Sequence, residues 1–412
     1  MEILEVNVNE QLGRLQVEVY DLTVAKPIAG ASVVIRMPSL GNVIEELFTD
    51  SSGRTPTVEL PAPPEQYSLE ETSTQKPYSE YDLLISADGY NDETVTGVQI
   101  FAGSTALQRI YLGRRGEENV TVTPPVLWGN YPPKIPEEEV KELPPETGFV
   151  VLDTVQIPEI IVVHDGVPGS NAKNYYVPYK DYIKNVASGE IYSTWPTEAI
   201  KANVLAINSF TLNRVFTEWY RNRGFDFTIT SSTRYDQYFS YGRTIYESIS
   251  DIVDELFTTY IKREGQRQPL FAQYCDGKNV QCPGWMTQWG SAALAEDGMR
   301  AIEILHYFYG NDVYLDAAPK VTGIPISYPG TPLTVGSTGD DVRTIQRQLN
   351  SIASTYTAIP KVRVDGIYGD ATRRAVEEFQ RIFNMPVTGS VDFATWYEIS
   401  EIYVAIEKLA EL

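Results

Sequence analysis

Histidine, cysteine and basic residues are scarce in this chain. Of 412 residues only two are His and two are Cys, and 33 Lys and Arg stand against 55 Asp and Glu, giving a formal charge of −22. The two histidines, His164 and His306, lie far apart and supply no His/Glu ligand cluster of the kind a zinc amidase needs, which argues against that chemistry. Unclustered Lys and Arg argue against nucleic acid or an anionic membrane as partner. No apolar run approaches transmembrane length. The opening MEILEVNVNEQLGR has neither the basic start nor the apolar core of a signal peptide, so classical secretion is not expected.

What is present is a chain of ordinary apolar content, 42% hydrophobic, and of a length that calls for three domains joined by linkers. The acid excess is uneven: residues 1–150 hold 10 Lys and Arg against 24 Asp and Glu, whereas residues 151–412 hold 23 against 31. An acidic front segment keeps a protein soluble and repels anionic polymers.

The patterning gives a multidomain α+β organisation. Residues 1–115 read as a β-sandwich: Leu15 to Val19 alternates strictly, Ser32 to Arg36 and Tyr81 to Ser86 are short β-rich runs, and Asp50-Ser51-Ser52-Gly53 and Asp88-Gly89-Tyr90 supply turns. Residues 116–149 are rich in Pro and Glu, with Glu137-Glu138-Glu139 at their centre, and read as an extended, exposed linker open to proteolysis. Residues 150–320 read as mixed α/β, residues 321–332 as a second Pro/Gly linker, and residues 333–412 as a small helical domain. In that last domain, Asp365-Gly366 followed by Thr372, Val376 and Phe379-Gln380 is partly repeated as Thr388-Gly389 followed by Thr395-Trp396.

Residues 177–212 carry the candidate chemistry. Tyr179 to Ser188 predicts a short amphipathic helix, Gly189 its stop, and Pro196 the first turn of a long helix with Ile200, Val204, Ile207, Leu212, Val215 and Trp219 on one buried face. Glu190 is thereby expected in a break between two helices, presented to a ligand. Glu198, in the first turn of the long helix, fits a structural role at the positive end of the helix dipole. Asp165 follows a strand and is a lesser candidate. Ser232, Gln237, Tyr238 and Gln288 fit either sugar binding or internal hydrogen bonding. Tyr192 and Trp195 are aromatic groups able to line a sugar site or to desolvate Glu190. His306, among Ile302, Leu305 and Phe308, reads as a helix residue without catalytic work. Cys275 and Cys282 allow a disulfide, two free thiols or, as a third reading, a share in a zinc site.

These residues also carry a resemblance. VPYKDYIKNVASGEI followed by WPTEAIKAN, ITSSTRYDQY at 229–238, GWMTQWG at 284–290, and Glu303-Ile304-Leu305 with Tyr307-Phe308-Tyr309-Gly310 resemble the segments of the stage II sporulation protein D domain, a family of peptidoglycan lytic transglycosylases. The glycine-rich, repeated C-terminal pattern resembles the three-helix peptidoglycan-binding module, and PIAGASV, TDSSGR and SADGY resemble carboxypeptidase regulatory-like and pilin-type sandwich modules. The whole order is similar to that of the clostridial spore-cortex-lytic enzymes made as pro-proteins. The resemblance implies Glu190 as the single acid/base, peptidoglycan glycan strands as substrate, 1,6-anhydromuramic acid products, no cofactor, and a location in the cortex or coat of the spore without a classical signal peptide. It further implies activation by a subtilisin-like germination protease cutting between about residues 113 and 149. Two departures stand out: Thr287 replaces the Ser of the second signature, and Ile207-Asn208-Ser209-Phe210 replaces Ala-Arg-Thr-Tyr, removing a positive charge and a phenol. The alternative function is a non-catalytic peptidoglycan-binding spore structural protein.

Overall fold

The computed structural model describes residues 11–22, 26–38, 41–116, 152–280, 282–322 and 328–410, so residues 1–10 of the expected leaderless start and residues 117–149 of the expected activation segment lie outside the described residues. Within them the molecule is a mixed α/β, multidomain chain of several sheets and helices.

Two four-stranded sheets make up the front. In one, Gln11–Asp21 runs parallel to Thr105–Leu112 and antiparallel to Val58–Ala62; in the other, Ser32–Arg36 pairs with Val43–Phe48 and Ser79–Ser86, and Ser79–Ser86 with Glu93–Ile100. Period-two alternation puts Leu15, Val17 and Val19 from the first sheet and Val33, Ile35, Leu83 and Ile85 from the second into the core. The fourth strand of the first sheet, Ile245–Tyr246, comes from the central region and pairs with Leu107 and Ala106. The front sheets are therefore completed by the region that follows them.

The central region is organised around two consecutive helices, Tyr179–Glu190 and Thr197–Phe216. Beside them lie the sheet Asn174–Pro178, Ile160–His164 and Ile229–Thr230 and the pair Thr259–Arg263 with Val313–Ala317. Two sequence expectations are corrected here. Helix Thr197–Phe216 ends before Trp219 and is buried on nearly every side rather than along one face, because Asn208 donates to the carbonyls of Phe257 and Thr259, Ser209 to those of Ile261 and Leu270, and Asn213 to that of Pro269. Loop carbonyls thus take the place of solvent on its polar side. The first helix does not stop at Gly189 but runs through Glu190. Gly189 is there for room: a Cβ would stand 2.3 Å from Arg243 Nη1 and 2.8 Å from the Tyr238 ring.

In the C-terminal region, helices Asp340–Ile352, Asp370–Ile382 and Phe393–Ala410 are tied by a repeated device. Gln346 Oε1 accepts from the N–H groups of Asp365 and Gly366, while its Nε2 donates to Ile367 O and Thr372 Oγ1. Gln380 does the same for Thr388, Gly389, Ser390 and Thr395. Each turn needs its glycine, since Gly366 and Gly389 adopt φ of 75° and 66°.

Candidate functional site

Glu190 is the last residue of helix Tyr179–Glu190 and is only 2% exposed. Its Oε1 accepts a 2.8 Å hydrogen bond from the Tyr238 backbone N–H. The Tyr274 phenol also reaches the carboxylate; burial first, then the Glu190 charge and the hydrogen bond to it, raise the Tyr274 pKa well above its ordinary value. The expected presentation in an open interhelical break is therefore corrected: the carboxylate points into a closed polar cluster.

Gln237 is the hub of that cluster. Fully buried, it accepts from Tyr182 Oη at 3.0 Å and Thr211 Oγ1 at 2.7 Å and donates to Ile207 O and Tyr274 Oη, each at 3.1 Å. Its amide is committed to the protein interior, and no sugar hydroxyl competes for it in this form. Desolvation, followed by the charges of Asp236 and Glu190, raises the Tyr182 phenol well above its ordinary value. One residue upstream of Gln237, Asp236 accepts from Arg214 Nε at 2.8 Å, Tyr220 Oη at 2.6 Å, and the N–H and Oγ1 of Thr230. That buried knot fixes the chain that delivers Gln237 and the Tyr238 N–H to Glu190.

The other candidates are distributed around this cluster. Tyr238 is buried and contributes its backbone N–H. Ser232 is half-buried, and its carbonyl accepts from Tyr235 and Asp236 N–H. Gln288 opens helix Gln288–Glu296 and is buried. Glu198 accepts from Ala301 N–H at 2.7 Å, joining two helices. Asp165 accepts from Ser231 Oγ at 3.1 Å near the surface. His164 bonds Asn174 Oδ1 and Ser170 Oγ, and His306 Nε2 bonds Val313 O. Cys275 and Cys282 form a disulfide, so neither thiol is offered to zinc; among the described residues no group of three or more His, Cys, Asp or Glu is arranged around a metal position.

Tyr192 and Trp195 are buried, with their rings 5.6 Å apart and near-perpendicular, and both meet Trp289. The group covering them comes from the front sheets. Phe101 packs edge-on against Tyr192 at 5.7 Å and Tyr246 at 5.3 Å, Trp195 Nε1 donates to Ser68 O at 2.9 Å, Ser68 Oγ meets Thr194 Oγ1 at 2.7 Å, and Ser104 Oγ meets Ser193 Oγ at 2.8 Å. Residues 192–195, directly after Glu190, are sheathed by the front region. Sequence reasoning did not reach Tyr274, Asp236, Arg214 or Phe101, whose contacts with the site join distant segments; the only local hints were Tyr274 beside Cys275 and Asp236 within ITSSTRYDQY.

Two segments of the chain match models of known protein families. Residues 169–260, which include Glu190 and Gln237, match the family model described as "Stage II sporulation protein", and residues 338–399 match that described as "Putative peptidoglycan binding domain". The two matches support a sporulation-related protein that acts at the cell wall, with peptidoglycan as partner. No curated protein matches the chain. Solved structures that match include a 3-chlorocatechol 1,2-dioxygenase from Rhodococcus opacus 1CP (13% identity, 25% of this chain and 60% of that one, TM-score 0.18). The minor pilin GBS52 of Streptococcus agalactiae matches at 18% identity over 28% of this chain and 49% of that one, with a TM-score of 0.18. A 5-hydroxyisourate hydrolase from Klebsiella pneumoniae matches at 13% identity over 27% of this chain and 99% of that one, with a TM-score of 0.17. The chain thus spans 60% and 49% of the first two of these, and similarity at such TM-scores carries no argument about fold or activity.

Proposed function

We propose that this protein is a lytic transglycosylase of spore-cortex peptidoglycan, made as a pro-enzyme, with Glu190 as its single acid/base. The observation that carries the reading is one deeply buried carboxyl, in the segment matching the stage II sporulation family, held by the Tyr238 N–H and by Tyr274. As the acid, Glu190 gives its proton to the glycosidic oxygen while the C1–O bond breaks. As the carboxylate, it then takes the proton from the muramic 6-hydroxyl, whose oxygen closes on C1 to leave the 1,6-anhydro ring. This differs from hydrolases that need a second carboxyl to activate water or trap the sugar.

The pro-form part rests on the sheath. Phe101, Ser68 and Ser104 cover residues 192–195, two to five positions beyond the buried Glu190, and on this reading that cover hinders a glycan strand approaching the carboxyl. Cutting the segment between about residues 113 and 149, by a subtilisin-like protease at germination, releases that cover, and the C-terminal peptidoglycan-binding module keeps the remainder on the wall. The test is to incubate cortex with uncut protein and with protein nicked in that segment. Release of glycan by the nicked form alone is the expected result; equal release by both would remove the pro-enzyme reading.

One observation favours a second reading, a non-catalytic wall-binding spore protein. Every polar atom of Gln237 is engaged internally, as in a cluster built for stability. In that case uncut, nicked and Glu190→Gln proteins all sediment with cortex and none releases glycan.

A further inference from the structure

One cavity among the described residues does not open at Glu190. It measures about 700 Å³ and lies where the front sheets, helix Tyr179–Glu190 and the C-terminal helices meet, walled by rings that include Phe239, Tyr241, Tyr111 and Tyr356. That is ample room for a small ligand. Tyr241 is held in place by stacking on Tyr175, with ring centroids 4.5 Å apart.

Most of the basic groups around this cavity are paired with carboxylates. Glu18 meets Arg109 at 3.1 Å, and Arg109 reaches Asp181 at 3.6 Å. Lys180 is held by Glu398, by Glu401 at 3.0 Å and by Asp254 at 3.6 Å, and Lys184 by Asp254 at 2.8 Å. Lys26 is exposed and has no carboxylate partner among the described residues. Arg243 lines the cavity and is 7% exposed; its Nε donates to Thr244 O at 3.3 Å, and the side chain also hydrogen-bonds Tyr246. Among the described residues no carboxylate pairs with it. A guanidinium withdrawn from water without a counter-ion is costly, and a carboxylate that takes its planar fork of donors offsets that cost.

We propose that Arg243 and the aromatic wall beside it bind the carboxylate of a muramyl peptide, with the ligand's apolar body against Tyr241 and Phe239. The class of ligand rests on the peptidoglycan reading above; the demand for an anion rests on Arg243 alone. Because Arg243 Nη1 packs against Gly189, one residue from Glu190, the site adjoins the helix end that carries the acid/base. The competing role for Arg243 is structural, a cation at the negative end of helix Tyr179–Glu190.

The experiment is calorimetric titration of the full-length protein with muramyl dipeptide and with the same compound amidated at its terminal carboxylate, repeated for Arg243→Gln and Arg243→Lys. The expected result is a preference of about tenfold or more for the acid over the amide, the size of one charge-assisted fork. Arg243→Gln should lose that preference, and Arg243→Lys should keep part of it. Equal affinity for acid and amide, no binding by folded full-length protein, or a preference that survives in Arg243→Gln would overturn the proposal. A structural Arg243 would lower the Tm of Arg243→Gln and leave the acid-to-amide ratio unchanged. Binding is read without turnover, so a protein that shows the preference yet never cleaves glycan would fail the transglycosylase reading and retain this site.

Discussion

Two buried glutamines, Gln380 in the C-terminal helices and Gln237 beside Glu190, are both fully buried with their amides fully engaged, but their partners come from very different distances. Gln380 bonds residues 8 to 15 positions away, in the turn and helix that follow it. Gln237 bonds residues 26 to 55 positions away, from two helices and a short strand. A locally satisfied amide leaves a repeated spelling in the sequence, whereas an amide satisfied across the fold leaves none. The first kind specifies a module that organises itself; the second makes the site depend on helices and a strand brought together from distant parts of the central region.

The comparison can be broken at several points, and the largest effect is expected at Phe101. Phe101→Ala removes the ring that packs on Tyr78, Tyr192 and Tyr246, at a cost of about 3–5 kcal/mol typical of buried Phe truncation. Urea unfolding should show the loss, and hydrogen exchange should show residues 192–195 opening with the front sheets. If exchange there stays as slow as in the parent, the front region does not sheath the site.

Gln237→Leu comes next, because it strands the Tyr182 hydroxyl and takes one partner each from Thr211 and Tyr274, for about 3 kcal/mol. Exchange should quicken across 179–190, 207–211 and 274 together. Gln380→Leu should cost a similar or slightly smaller amount but quicken exchange only within 338–399. Spread of the second effect into the central region would contradict the local account of the C-terminal repeat.

Tyr274→Phe removes one phenol from the Glu190 cluster and should cost about 1 kcal/mol. A pH dependence is expected at Asp251, on helix Glu247–Leu256, whose pKa is raised to about 7 by burial and then by Asp254 and Glu247. The folded protein holds there a proton that the unfolded chain has already released above its ordinary 3.8, so stability falls as pH rises from about 4 to about 7 and is then flat. The Tm of Asp251→Asn should vary less across that window than the parent's; an unchanged slope would assign the dependence to other groups.

These contrasts also mark what was legible in the sequence. Strict alternation at Leu15, Val17 and Val19 announced a strand with one buried face, and the Gly366 and Gly389 turns announced the C-terminal pattern, because both follow from neighbours in sequence. The stop assigned to Gly189 failed for a long-range reason: that glycine makes space for Arg243 and Tyr238. The one-sided burial expected of helix Thr197–Phe216 failed likewise, since the carbonyls that accept from Asn208, Ser209 and Asn213 lie about 50 residues downstream. Glu190 was found by its place in a motif, while its partners Tyr274 and the Tyr238 N–H could be found only in the fold.

The most direct test of the central claim is mass spectrometry of the fragments that the nicked protein releases from purified spore cortex, run beside Glu190→Gln. Fragments ending in 1,6-anhydromuramic acid with the parent, falling at least about a hundredfold with the variant while its wall binding persists, are the predicted result. Reducing ends in place of anhydro ends, or anhydro ends undiminished by Glu190→Gln, would contradict it.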